Sequence, residues 1–205
     1  MDNILIIGAH PDDIELGCIG TLLKLKKHGK KIIYLVMTKG GNWEQKTYKD
    51  RVKEIRSAIL CMEIDEVLIG EIKDGNLLHC SETIDFITDI IKKHQIDTIF
   101  CQYFKDTHQD HINIAKNCLS VKSICKNLIF YESLTSAEFT PNLFIDITEY
   151  EDKKKEILVN YTSQIDKYMR RNQDLMLYID AKDKLNGIKS CVKYAEGFII
   201  NKMSL

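Results

Sequence analysis

Short apolar runs of strand length alternate along this chain with longer segments in which apolar residues recur three and four apart. The runs are "NILIIG", "KIIYLVMT", "DTIFCQ", "NLIFYE" and "LFIDI"; the periodic segments are Leu16 to His28, Arg51 to Met62, Ser81 to His94 and Asp110 to Ile124. Strands alternating with helices in this way predict an α/β fold, with crossover helices covering a mostly parallel sheet. Ile84, Ile87, Ile90 and Ile91 form one stripe that core packing explains. Near the end, "TEYE" at Thr148 to Glu151 has capping-box spacing and predicts a helix from about Glu149, and a second long helix is expected after Asn172. With no repeat, low-complexity tract or Pro/Gly linker, residues 1–205 are expected to form a single domain.

Composition narrows the function classes. A formal net charge of -1 gives no global attraction to nucleic acid or anionic lipid. The start "MDNILIIGAH" lacks the charged region and the long apolar core of a secretory signal, and no apolar run could span a bilayer, so a cytoplasmic protein is expected. Seven cysteines, an odd number with no C-x-x-C, argue against a disulfide framework and a thiolate zinc knuckle, leaving mostly buried free thiols.

The chemistry concentrates where the first strand ends, in "GAHPDDIELG". Ligands of parallel sheets gather at the carboxyl ends of strands. Pro11 pushes His10 into extended backbone, so its imidazole can project into the crevice above the sheet. Asp12, Asp13 and Glu15 follow, and carboxylates this close repel one another unless a cation or strong donors offset them. A divalent metal would do so, since imidazole and carboxylate are ordinary zinc ligands and a catalytic site needs three protein ligands with one position open. A third ligand is available in "YFKDTHQDHINI", where His108 and His111 stand three apart at a helix entry beside Asp106 and Asp110. Either cluster alone is also what a turn and a helix cap look like; two of them at strand ends point to a metal site.

These residues carry a family resemblance. "GAHPDDIELGCIGTL" with "DTHQDH" resembles the PIG-L/LmbE-like zinc-dependent de-N-acetylases, and "RVKEIRSAILCM", "IKDGNL", "FTPNLFIDITEYEDKKKEILVNYTSQ" and "YAEGF" are similar to further parts of that family. The resemblance implies a Rossmann-like three-layer sandwich and hydrolysis of an N-acetyl amide on N-acetylglucosamine-type sugars, sugar nucleotides or glycosides. It implies that His10, Asp13 and His111 bind Zn2+, that Asp12 is the general base, that His108 stabilises the oxyanion or protonates the amine with Asp110 orienting its ring, and that Arg51 contacts substrate. Ile19 and Cys61 stand where the family has small residues or glycine; Ile19 could narrow the pocket.

For Arg51, a helix-surface pair with Glu54 is the competing expectation, and Glu15 is expected to be structural. Gly40 and Gly41 would let backbone approach a bound sugar and Trp43 could stack on it, although an ordinary loop reads the same way. Glu196, Ser163 and Gln164 have no assigned role, and His28, His79 and His94 are placed at surfaces or helix ends. Two rivals remain. One is a non-catalytic sugar- or nucleotide-binding module, although no G-x-G-x-x-G follows the first strand. The other is a non-haem iron enzyme, because Fe2+ suits the same His/Asp/His triad. A homo-oligomer that completes the pocket is a further expectation.

Overall fold

The computed structural model describes residues 1–41, 48–62 and 64–204. Seven strands form one sheet in the order β3-β2-β1-β4-β5-β7-β6: β1 (Asn3–Gly8), β2 (Lys31–Thr38), β3 (Glu66–Ile72), β4 (Thr98–Gln102), β5 (Asn127–Tyr131), β6 (Leu143–Asp146) and β7 (Ala195–Lys202). The first five run parallel, whereas β7 lies antiparallel to both β5 and β6. The helices are α1 (Asp13–Lys27), α2 (Tyr48–Leu60), α3 (Ser81–His94), α4 (Gln109–Val121), α5 (Glu151–Leu158), α6 (Thr162–Met169) and α7 (Leu175–Ser190).

The central strands are apolar at successive positions because both faces are covered. Leu5 and Ile7 of β1 pack with Ile99, Phe130 and the α3 and α4 residues Ile87, Ile91 and Ile114. Ile4 and Ile6 point the other way, against Tyr34, Phe100, Tyr131 and the helical residues Ile14, Leu22, Ile55 and Ile157. The result is a three-layer sandwich, and the expected isoleucine stripe is part of its core. The strand order reverses at β1, so the crevice between β1 and its neighbour β4 is the switch point where such sheets bind ligands.

Helix α1 is broken at Cys18 (φ -154, ψ 19), and backbone groups on both sides of the break find side-chain partners. Lys182 donates to the Leu16 carbonyl at 3.2 Å, and the Glu196 carboxylate accepts from the amides of Gly20 (2.9 Å) and Thr21 (2.7 Å). Gly17, just before the break, is needed for close packing: a Cβ there would stand 2.3 Å from the Tyr131 ring. Lys154, fully buried, bridges Glu196 (2.8 Å) to Asp183. Burial works against its charge, but the two carboxylates outweigh burial and hold the ammonium above its usual range. Glu196, unassigned in the sequence, is therefore a fold element that caps the second half of α1.

Three expectations need correction. The Thr148–Glu151 capping box does not form: α5 begins at Glu151 with no side-chain cap at Tyr150, and the Thr148 hydroxyl accepts from the Tyr194 amide at 3.2 Å. The strand β7 pulls Thr148 away from the helix start. His94 ends α3 as expected but is buried, 3.5 Å from Glu66. The fourth helix ends at Val121, followed by a 3-10 turn over Lys122–Ile124.

Replacing Lys154 by Met keeps the volume and leaves Asp183 and Glu196 buried without a counter-charge. K154M is expected to lose about 3–5 kcal/mol of unfolding free energy, read by urea denaturation.

Candidate metal centre and active site

Strand β1 ends at Gly8, and the Ala9 amide is held by Gln102 of β4 at 2.9 Å, which fixes the two strand ends side by side. His10 follows, then Asp12 in left-handed backbone (φ 103), an unusual conformation for a non-glycine residue and one that costs on the order of 1–3 kcal/mol. The turn brings Asp13 to the first position of α1, where its Oδ2 accepts the His10 amide at 2.6 Å. Beyond β4, His108 caps α4 and His111 lies on its first turn.

The two clusters meet. His10 Nδ1 and His111 Nε2 are 3.3 Å apart, and Asp13 is 3.3 Å from the first through Oδ2 and 3.4 Å from the second through Oδ1. Four-coordinate zinc, with ligands at about 2.0–2.1 Å, separates neighbouring donors by roughly 3.3–3.4 Å. The remaining ring nitrogens face carboxylates: His10 Nε2 lies 3.1 Å from Asp110 and 3.0 Å from Asp74, and His111 Nδ1 lies 3.1 Å from Asp106. Protons on those outer nitrogens leave two lone pairs and a carboxylate aimed at one point, the donor set of a divalent cation.

Electrostatics asks for the same thing. Burial opposes charge on His10, but Asp110, Asp13 and Asp74 outweigh it and raise the imidazole well above its ordinary value. His111 is likewise raised to about 9, by Asp13 and Asp106 against burial. Asp13 is held well below the carboxylate range because both imidazoles outweigh its desolvation. Full protonation would set two N–H groups face to face across 3.3 Å, whereas an ion between neutral rings supplies the positive charge without that clash. The residues present therefore fit a metal.

His108 comes within the same reach: one ring nitrogen each of His10, His108 and His111 lies within 4.8 Å of the others, with its ring stacked on His111 at 4.7 Å. Its expected partnership is corrected. The Asp110 carboxylate turns to His10 and to the amides of Gly75 (2.7 Å) and Leu77 (3.3 Å), while His108 Nδ1 accepts the Asp110 amide at 3.2 Å. Burial, then the neighbouring imidazoles, lowers the His108 pKa. With Nδ1 accepting that amide, the N–H of the His108 ring is left on Nε2, and the carboxylate expected to orient this ring serves His10 instead.

Arg51 is buried, and its guanidinium reaches the Pro11 carbonyl, Asp12 Oδ1 at 2.9 Å, Ser163 Oγ at 3.2 Å and Glu54 at 3.5 Å. It does pair with Glu54, but inside the protein and not on a helix surface. Glu54 in turn accepts the Ser163 amide (2.7 Å) and hydroxyl (2.6 Å), tying α2 to α6. Burial pushes Asp12 up to about 6, with Arg51 pulling back part of the shift. Glu15 is fully buried and accepts Tyr34 Oη at 2.6 Å, the structural carboxylate expected, and burial raises it to about 7.

A cavity of about 300 Å³ opens over this cluster. Gly40 (φ 62) and Gly41 (φ 93) both border it in left-handed backbone; Trp43 lies outside the described residues. Sequence reading missed Asp74, whose signal was the D-G turn after an unrecognised strand. It also missed Lys167 and Tyr168 of α6, and Arg171 just after it, all of which line the cavity; no signal existed for them because α6 itself was not foreseen.

An α/β sheet with a His/Asp donor cluster at its switch point, open to a small cavity, is an arrangement suited to metal-assisted hydrolysis. The chain belongs to the PIG-L family: the GlcNAc-PI de-N-acetylase family model matches residues 5–122. It is 31% identical over 154 residues, 72% of this chain and 83% of that protein, to the uncharacterized deacetylase YaiS of Escherichia coli (strain K12). The family makes it a hydrolase of amide bonds. Its fold matches N,N'-diacetylchitobiose deacetylase from Pyrococcus horikoshii with a TM-score of 0.81 at 23% identity, covering 97% of this chain and 83% of that one. It also matches GalB, the 4-carboxy-2-hydroxymuconate hydratase of Pseudomonas putida KT2440, with a TM-score of 0.86 at 17% identity, covering 100% and 98%. Among the described residues no helix is long and apolar enough to cross a membrane.

Cation binding should register in stability. Zinc at a hundredfold excess over its dissociation constant is expected to stabilise the protein by about 2.7 kcal/mol, seen as a rise in Tm that Asp13→Asn removes.

Proposed function

We propose that this protein is a zinc-dependent N-deacetylase that hydrolyses the N-acetyl amide of an N-acetylglucosamine-type sugar, sugar nucleotide or glycoside, giving acetate and the free amine. The observation that carries the reading is the meeting of His10, Asp13 and His111 at 3.3–3.4 Å beside a buried, raised Asp12. The fold carries no weight here, because the same sheet serves a hydratase. Family membership and the donor set do.

In this reading His10, Asp13 and His111 hold the ion. Zinc so held supplies Lewis acidity to the amide carbonyl and a water acidic enough to ionise near neutral pH. Asp12, kept off the ion by its pairing with Arg51, takes the proton of the attacking water. Arg51 then positions the base and is not primarily a substrate contact. His108, with its proton on Nε2, donates to the oxygen that becomes negative as the carbonyl carbon turns tetrahedral. The amine leaves with the proton that Asp12 took. Asp110, Asp74 and Asp106 orient the two imidazole ligands. Gly41 shapes the cavity mouth for the sugar. The cytoplasm, where free thiols persist, is the setting that the seven unpaired cysteines suit.

Acetate release from a panel of N-acetylated sugars, sugar nucleotides and glycosides tests the proposal, and release from none would sink it. Metal content of protein purified without added metal, with turnover measured in the absence of oxygen, separates zinc hydrolysis from iron chemistry. His108→Ala is expected to keep its zinc and lose about two to three decades in kcat. D12N should also keep zinc while losing turnover; loss of the metal itself would overturn the role given to Asp12.

A further inference from the structure

The Arg51 guanidinium has two working ends. Nη2 reaches the turn before α1, donating to the Pro11 carbonyl and to Asp12 Oδ1 at 2.9 Å. Nη1 faces α6, donating to Ser163 Oγ at 3.2 Å and lying 3.5 Å from Glu54. The group is planar and rigid, so whatever fixes one end sets the direction of the other. Gly40 leaves room for it, since a Cβ there would stand 3.3 Å from Arg51 Nε.

Ser163 anchors the far end. Its hydroxyl gives its proton to Glu54 Oε2 at 2.6 Å, which leaves the oxygen lone pairs to accept from Arg51 and, at 3.2 Å, from the Gln164 carboxamide. Glu54 in turn stands in for a missing helix cap. Tyr161 precedes α6 without a side-chain cap, and the Glu54 carboxylate accepts the Ser163 amide at 2.7 Å and the Thr162 hydroxyl at 3.2 Å in its place. Asp12, Arg51, Glu54 and Ser163 are all buried. The direction in which the hydroxyl accepts is therefore set by the start of α6 and by the carboxylate that caps it.

We propose that Ser163 is a positioning residue that aims the base Asp12 through Arg51. This rests on the deacetylase reading and adds α6 to it as the element that orients the base. Asp12 sits in left-handed backbone that is costly to hold, and the two Nη2 contacts hold it. Loss of the Ser163 hydroxyl leaves Nη1 with only the 3.5 Å approach to Glu54, which frees the guanidinium to turn and deprives Asp12 of its fixed donor. Ser163 also lines the cavity, so direct contact with substrate is the rival role. The two roles differ in the kinetic constant they move.

The test is acetate release from N-acetylglucosamine and from N,N'-diacetylchitobiose, with zinc content and Tm measured on the same preparations. S163A is expected to lose about tenfold in kcat, with KM held within about twofold and with zinc and Tm close to native. S163T, which restores the hydroxyl, should recover most of kcat, whereas S163V, of the same shape, should not. In an R51M background S163A should cost nothing further, because the pathway through the guanidinium is already cut. A rise in KM with kcat unchanged, equal kcat in S163T and S163V, or the full S163A loss repeated in R51M overturns the proposal. So does a fall in kcat that merely follows zinc or Tm. Release from neither probe counts against the deacetylase reading, and crystal structures of the native protein and S163A then decide the positioning. A guanidinium turned away from Asp12 in the variant supports it; one left in place rejects it.

Discussion

The structure is organised around an excess of negative charge that the chain cannot neutralise by itself. Asp12, Asp13, Asp74, Asp106 and Asp110 crowd one strand-end crevice, and the Arg51 guanidinium is buried against Asp12 there. Like charges this close are tolerated only where each has a donor or a cation. Asp110 has backbone amides, Asp106 has the hydroxyls of Ser133 and Thr135 and the His108 amide, and Asp12 has Arg51. What is left is a point between two imidazoles and Asp13, and it asks for positive charge. The strand order supplies this point, since β1 and β4 are neighbours although about a hundred residues separate their loops.

One residue type performs several tasks there, and environment decides which. Asp13 faces two imidazoles and is held well below the carboxylate range, as the ligand role proposed for it requires. Its neighbour Asp12 is turned away by left-handed backbone and desolvated, which moves it toward the range of a working base. Asp106, buried yet rich in donors and facing His111, is held down at about 2 and keeps its charge. The geometry of a single turn, Pro11 to Asp13, thus gives two adjacent carboxylates opposite electrostatics, as the proposed roles of base and ligand require.

Much of this was legible in the sequence because both histidine motifs follow apolar runs that could only be buried parallel strands. His10, Asp12, Asp13, His108 and His111 could be placed in one crevice on that ground alone. The failures have physical causes. The edge strand β3 is half-buried throughout and lacks the uniform apolar signal of β1 or β2, so Asp74 after it went unseen. Thr148 and Glu151 have capping-box spacing, yet the amide of Tyr194, just before β7, took the hydroxyl. The role of Asp110 was misjudged because spacing along a helix cannot say which of two nearby imidazoles a carboxylate will choose. Lys167 carried no motif at all; its position depends on how α6 is tied to α2 through Glu54 and Ser163.

The break in α1 has a consequence for how the chain can be divided. His10, Asp13 and His111, the ligands proposed above, lie within residues 5–122, the span of the family model, yet the helix that opens with Asp13 is clasped at Gly20 and Thr21 by a carboxylate from the last strand. The C-terminal third is therefore no accessory to a self-sufficient motif region. An amino-terminal fragment would hold all the proposed ligands and still lack the brace that aims the first of its helices, so the geometry of the donor cluster is a property of the whole polypeptide.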